Sequence, residues 1–170
     1  QEGKESQFNK NSLVRVPIRL GQDSFTVGEI SEENIDRMID AMKAFRLLMK
    51  VHKVEKYKAL ATSAMREAYN GKEVVEIIKE KSGIDIEIID GKKEAIIIAS
   101  TDLNHMLKSD KTYLYVDVGG GSTEFSLFDN GKIVVSKSFK AGTVRFLNKM
   151  VCDVVWEEME KWIKTNTKEY

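Results

Sequence analysis

The sequence is poor in the residues that staple or stiffen a small chain, and it carries no surplus of either charge. Its single cysteine, Cys152, excludes an internal disulfide. Set between Val151 and Val155 in a helical-looking stretch, it reads as a buried structural thiol. The two histidines, His52 and His105, have no cysteine or second histidine at ligand spacing, so a zinc site is not expected. Lysine plus arginine and aspartate plus glutamate each number 27. No field of one sign therefore exists to recruit a nucleic-acid polymer or an anionic membrane, and any anion site must be built locally. The longest apolar runs, such as Ala95–Ala99, fall far short of the about 20 residues a bilayer-spanning helix needs, and the polar start QEGKESQFNKNS does not read as a signal peptide. A cytoplasmic location follows as an expectation. One proline, 42% hydrophobic and 32% charged residues do not describe a disordered chain. A length of 170 residues suffices for one ordinary domain or two small lobes sharing a cleft.

What is present is a regular alternation of element signals. Val14, Val16, Ile18 and Leu20 alternate with Arg15, Pro17 and Arg19, the period of a half-buried strand, with Pro17 placing it at an edge or a bulge. Ser31 is positioned to cap a helix whose apolar stripe is Ile35, Met38, Ile39, Met42, Phe45 and Met49. A short strand, Tyr57–Ala61, leads through Thr62 and Ser63 into a helical region that Asn70-Gly71 breaks. A further helix carries Val74, Val75, Ile77 and Ile78 and stops at Gly83. Ile84, Ile86 and Ile88 alternate with acids as a strand, Gly91 makes a turn, and Lys92–Leu107 reads as a helix. This order predicts an α/β lobe.

After Lys111 the pattern changes. Tyr113–Val118 reads as a strand that runs straight into Gly119, Gly120 and Gly121. A second strand, Glu124–Asp129, meets a third, Lys132–Phe139, through Asn130-Gly131, a strong hairpin signal. Gly142 precedes two helices, roughly Thr143–Met150 and Asp153–Thr165. Residues 1–110 are thus expected to form a partial N-terminal α/β lobe, and residues 111–170 the start of a second lobe with too few strands for a sheet of usual size.

The string Asp117-Val118-Gly119-Gly120-Gly121-Ser122-Thr123-Glu124 carries the chemistry. Three glycines remove every Cβ from the turn, so main-chain N–H groups can approach and point at an anion. Asp117 at the strand end can hold a divalent cation, directly or through water. Ser122 and Thr123 add hydroxyl donors, and Glu124 returns a second carboxylate to the same place. A P-loop is excluded because Ser122, not lysine, follows Gly121 and a strand comes next. A dinucleotide fingerprint is excluded because Glu124 stands where a glycine is needed. A hairpin phosphate loop remains.

At these residues the chain resembles the exopolyphosphatase and guanosine pentaphosphatase family of the actin-like ATPase superfamily. The resemblance rests on Asp117–Glu124 as DVGGGSTE, Ala61–Ala68 as ATSAMREA followed by Asn70-Gly71, Ser82–Ala95 as SGIDIEIIDGKKEA, and the Gly142 turn before a helix. It implies an actin-like (ribonuclease H-like) α/β fold, incomplete here, in two partial lobes. It implies hydrolysis of phosphoanhydrides in polyphosphate or guanosine pentaphosphate with Mg2+. Glu94 is implied as general base on the attacking water, and Asp117 and Glu124 as placing magnesium. Arg66, with Ser63 or Thr62, is implied to line the phosphate path beside Gly119, Gly120, Gly121, Ser122 and Thr123. As a physical reading, Arg66 offers a planar fork suited to phosphate oxygens.

Two departures stand beside the implied base: Lys93, where an acid is usual, and Ile96, where arginine is frequent. Lys92 and Lys93 would hold Glu94 more firmly ionised if their amines point the same way. The family's first phosphate loop, an aspartate-glycine-serine/threonine signature, does not occur before Val14, and phosphoryl transfer needs charge neutralisation from both sides. The chain alone is therefore expected to hydrolyse polyphosphate poorly. The alternatives are a non-catalytic module binding a phosphorylated alarmone and a phosphotransferase of the same superfamily. Exposed sheet edges would favour pairing between chains, and a homodimer is expected of the full-length protein.

Overall fold

A computed structural model describes residues 13–98 and 110–170. The polar opening through Ser12, His105 and the expected continuation of a helix to Leu107 lie outside the described residues.

The strand expected over Val14–Leu20 does not form. Residues 13–19 are irregular, and helix α1 (Leu20–Thr26) takes over at their end. Arg19 adopts a left-handed φ of 64°, which ends extended backbone, and neither strand of the adjacent sheet pairs with the segment. Val14 and Val16 are accordingly exposed while Ile18 alone of the four apolar positions is buried. Alternation needs a partner strand to become a sheet, and among the described residues the segment meets none.

Helix α2 (Glu32–Val51) forms as its capping residue predicts, with the Ser31 hydroxyl accepting from Asn34 N at 3.4 Å. Asp23 in turn accepts from Ser31 N at 3.0 Å, from Ser31 Oγ at 2.6 Å and from Asn34 Nδ2 at 2.8 Å. Strand β1 (Ala59–Ala61) is followed by α3 (Ser63–Glu67) and α4 (Gly71–Ser82), then by β2 (Ile86–Ile88). β1 and β2 pair in parallel, Ala59 opposite Ile86 and Ala61 opposite Ile88, as a strand-helix-strand crossover requires. Ile35, Met38, Ile39, Met42 and Met49 of α2 close with Met65, Val74, Ile78 and Ile86 over one core. α4 ends at Gly83, whose φ of 75° supplies the left-handed cap.

Helix α5 (Gly91–Ile98) begins at Gly91 itself rather than after a turn made by it; Asp90 Oδ1 accepts from Lys93 N at 2.7 Å and starts the helix. Strands β3 (Tyr113–Val118), β4 (Thr123–Asp129) and β5 (Lys132–Phe139) form an antiparallel sheet in that order. Asn130 and Gly131, at φ 50° and 74°, make the consecutive left-handed pair that a tight hairpin requires. A bulge follows: Phe128 pairs with Ile133 but Leu127 with Val135, so Val134 is the extra residue.

Helices α6 (Thr143–Leu147) and α7 (Asp153–Asn166) complete the described chain. Met159, Val155 and Trp162 of α7 cover Phe125 and Phe139 on one face of the sheet. Since alternate residues of a strand face opposite ways, Glu124 and Ser138 lie on the other face, which α5 approaches. Cys152, expected buried, is exposed at the N-cap position of α7. Val151 and Val155 face the core, and the intervening cysteine falls outside the helix period that would have carried it inward.

Candidate active site

The site is assembled on the α5 face of the β3–β5 sheet. Asp117 lies directly across from Glu124, and Glu124 directly across from Ser138. Two carboxylates opposite one another weaken a sheet, so nothing in strand stability explains the row. Glu124 is 2% exposed, and its Oε1 accepts from Ser138 Oγ at 2.7 Å.

Helix α5 comes down onto this row at Gly91. A Cβ there would stand 2.5 Å from Ser138 Cβ and 3.7 Å from Glu124 Oε1, an approach that only glycine permits. One turn into the helix, the Glu94 carboxylate is thereby delivered beside Glu124. Its Oε2 is buried and takes no hydrogen bond among the described residues. Burial first, then the Glu124 carboxylate, push Glu94 up from its ordinary 4.5 to about 7; Arg66 and the Thr62 hydroxyl pull the other way, and Asp117 adds to the rise. The expected firm ionisation by lysines is therefore reversed. Lys93 Nζ turns to Glu87 on β2, and Lys92 is exposed.

Arg66, half-buried on α3, donates to Ile89 O, in the segment that joins β2 to α5. It thus holds the piece of backbone that presents Glu94, besides lying close enough to favour its charge. Ser63 is buried at the first position of α3, and Thr62 precedes it.

The glycine turn is closed by Gly119 N donating to Ser122 O at 2.9 Å. Its three carbonyls are all turned onto α6: Gly119 O accepts from Thr143 N at 2.9 Å, Gly120 O from Val144 N at 2.9 Å, and Gly121 O from Arg145 Nε at 2.7 Å. With the carbonyls so engaged, the N–H groups of Gly120 and Gly121 donate no hydrogen bond among the described residues. Two of the glycines that make this possible are needed for space. A Cβ on Gly121 would lie 2.0 Å from Phe25 Cζ, and one on Gly142 would lie 2.4 Å from Gly120 C. The turn borders a cleft of about 890 Å³, with Thr62, Ser63, Gly120 and Gly121 in its wall and Arg15 and Arg19 further along it. Ser122 is buried, and the Thr123 hydroxyl donates to Ala141 O, so that hydroxyl braces the turn.

Residues 10–167 match the model of the Ppx/GppA phosphatase family. The chain belongs to that family. It is 31% identical over 163 residues to a bifunctional 3-dehydroquinate synthase/phosphatase of Fusobacterium nucleatum, covering 89% of this chain and 24% of that protein. It is 29% identical over 140 residues to a guanosine-5'-triphosphate,3'-diphosphate pyrophosphatase of Photobacterium profundum, covering 82% of this chain and 28% of the relative. A solved exopolyphosphatase from Cytophaga hutchinsonii superposes with a TM-score of 0.70 at 29% identity, over 87% of this chain and 49% of that one. The chain spans a quarter to a half of the length of these relatives. Its fold is the mixed α/β fold of the solved members of this family, as expected.

Within this Ppx/GppA chain, Glu94, Glu124, Asp117 and Arg66 gather on the α5 side, and Ser63, Gly120 and Gly121 line the cleft; Thr62 is common to both. Among the described residues, no three histidine, cysteine or acidic side chains stand close enough to hold a metal ion by themselves. The donor set nevertheless fits magnesium. Mg2+ keeps several waters and uses one or two carboxylates, and the unpaired Glu94 Oε2 beside two more acids is a place where a cation would relieve repulsion.

Sequence reasoning missed Ser138, the close approach at Gly91, and Arg145 with Phe25. Gly91 carried a legible signal, since a glycine at a helix start, three residues before an acid, calls for a contact to explain it. Phe25 and Arg145 had none, because their contacts join segments far apart in the chain.

Proposed function

We propose that this chain carries the phosphate-handling core of a phosphoanhydride hydrolase that releases terminal phosphate from inorganic polyphosphate or guanosine pentaphosphate. The observation that carries the reading is the Glu94 carboxylate, raised to about 7 by burial and by Glu124, the acid that follows the glycine turn and lies across from Asp117 at its other end.

In this reading the terminal phosphoryl group lies against the N–H groups of Gly120 and Gly121, with Ser63 beside them and Arg66 near enough to share its negative charge. A water on Glu94 Oε2 gives up a proton to that oxygen as its own oxygen bonds to phosphorus, and the bridging P–O bond breaks to release the shortened chain. A base titrating near neutrality is suited to this transfer, because it is ionised enough to accept and acidic enough to return the proton. Magnesium, held through water by Asp117 and Glu124, would supply the charge neutralisation that phosphoryl transfer requires. The relatives from Photobacterium profundum and Cytophaga hutchinsonii, named a guanosine-5'-triphosphate,3'-diphosphate pyrophosphatase and an exopolyphosphatase, support this substrate class. The same reading takes residues 1–110 and 111–170 as two partial lobes that meet at the phosphate.

Phosphate release from each substrate, measured with magnesium on the native protein that carries this chain, is the test. Release should occur and should fall about 10²- to 10⁴-fold in Glu94→Gln, the usual contribution of a general base. Undiminished turnover in that variant would sink the assignment.

A further inference from the structure

Arg145 is 9% exposed, on a short helix that the sequence offers no reason to single out. Its three contacts lead to three different elements. Nε donates to Gly121 O at 2.7 Å, in the glycine turn. The guanidinium also donates to Glu67 Oε2 on α3, and it lies 4.5 Å from the centroid of the Phe25 ring on α1. Lys140 Nζ adds a second cation to the same Glu67 oxygen at 3.7 Å.

Each partner belongs to the machinery of the site. Phe25 occupies the space a Gly121 side chain would need. Glu67 follows Arg66, which donates to the backbone that presents Glu94. The contact therefore spans the seam between the β1–β2 half of the chain, which brings Ser63 and Arg66, and the β3–β5 half, which brings the glycine turn. We infer that Arg145 is a positioning residue that sets the distance between the glycine turn and the α3 segment, by joining Gly121 O to Glu67 and Phe25.

A guanidinium suits this role because its planar fork can serve a carbonyl and a carboxylate while its face covers a ring; a lysine ammonium is a point charge and reaches one of the three. A buried ion pair is weak evidence for net stability, so the inference concerns geometry. Its relevance to turnover rests on the proposed hydrolase reading, while the bridge itself does not.

The test uses Arg145→Lys, which keeps a cation opposite Glu67, and Glu67→Gln, which keeps an oxygen acceptor for Arg145. Amide hydrogen exchange at Gly119, Thr143 and Val144, whose N–H groups donate to Ser122 O, Gly119 O and Gly120 O, reads the turn, and exchange at Val74–Ile78 in α4 reports global opening. In each variant the turn should exchange about tenfold faster, the loss expected for a charged hydrogen bond, with α4 unchanged. The double variant should be no worse than the more severe single one, because both remove one contact. In the native protein that carries this chain, kcat/KM for phosphate release should fall about tenfold with the pH midpoint unmoved. Unchanged exchange at the turn, or acceleration only in step with α4, overturns the inference. A native protein that releases no phosphate at all would refute the proposed activity while leaving the exchange result to decide on Arg145.

Discussion

Ser138 donates a 2.7 Å hydrogen bond to Oε1 of Glu124, its direct partner on the neighbouring strand. Glu124 is 2% exposed, so this hydroxyl does work that water cannot. It fixes the orientation of the carboxylate that faces Asp117 and contributes to the raised proton affinity of Glu94.

Replacing Ser138 by alanine should therefore act on both folding and function. An orphaned buried acceptor costs about 1–3 kcal/mol, read as a lower urea midpoint. Loss of an orienting partner should reduce magnesium-dependent turnover about tenfold. Full activity with unchanged stability would show the contact to be idle.

The raised Glu94 carboxyl predicts two pH dependences. Phosphate release should rise with pH through about 7 as the base ionises, and Glu124→Gln should move that rise to lower pH by removing the like charge, though only part of the way, because burial is the larger cause. For stability the sign is opposite. Unfolded Glu94 ionises near 4.5 but the folded chain keeps its proton to about 7, so the folded state binds more protons in that window and loses stability as pH climbs through it. In the absence of divalent cations, Glu94→Gln should raise the melting temperature at pH 8, with the gain fading toward pH 4.5. A gain independent of pH would contradict the cause assigned.

The glycines at the turn should separate folding from binding. Gly142→Ala drives a methyl to within 2.4 Å of Gly120 backbone, which cannot move aside without breaking the Thr143 and Val144 bonds, and should cost about 1–3 kcal/mol. At Gly120 a Cβ would meet, among the described residues, only Val144 Cγ2, at 3.4 Å. Gly120→Ala should fold with nearly the parent stability yet bind pyrophosphate more weakly by calorimetry, because the methyl stands where the anion must approach.

Asp23 titrates in the opposite sense. Burial opposes its charge, but hydrogen bonds from Ser31 and Asn34, helped by Arg37, outweigh it and hold the carboxyl below its usual 3.8. The resulting stability is present above 3.8 and lost as pH falls through the folded value. Asp23→Ala should lower stability by about 1 kcal/mol at pH 7, the scale of a lost helix-cap contact, with the deficit shrinking in acid. Chemical denaturation at the two pH values measures both.

Much of the site was legible because its pieces are local. The residue types of Asp117 to Glu124 already imply a turn with bare amides and acids around it, whereas Glu94 and Arg66 stood out only through the family resemblance. Helix α2, its Ser31 cap and its methionine stripe follow from 3.6-residue spacing, and Asn130-Gly131 dictates its own turn. The Val14–Leu20 strand failed for the complementary reason: alternation records what a segment would do with a partner, and Arg19 leaves extended backbone before any partner is met. Cys152 failed because proximity to core residues in sequence does not say which way a cap position faces.

The register of the sheet marks the boundary between the two kinds of knowledge. Counting outward from the Asn130-Gly131 turn puts Lys137 opposite Glu124, but the bulge between Leu127 and Phe128 shifts the pairing by one and brings Ser138 there, with Lys137 opposite Phe125. A one-residue shift exchanges the two faces of a strand, so the donor to Glu124 depends on a backbone irregularity that residue types do not announce. By itself the sequence determined which chemical groups were available: the glycine turn, the acids at its two ends, Glu94 and Arg66. Only the tertiary structure decided their surroundings, through the Gly91 approach that half-buries Glu94 and the Arg145 bridge to Glu67 and Phe25, because burial and long-range contact are properties of packed neighbours and not of any single stretch of chain.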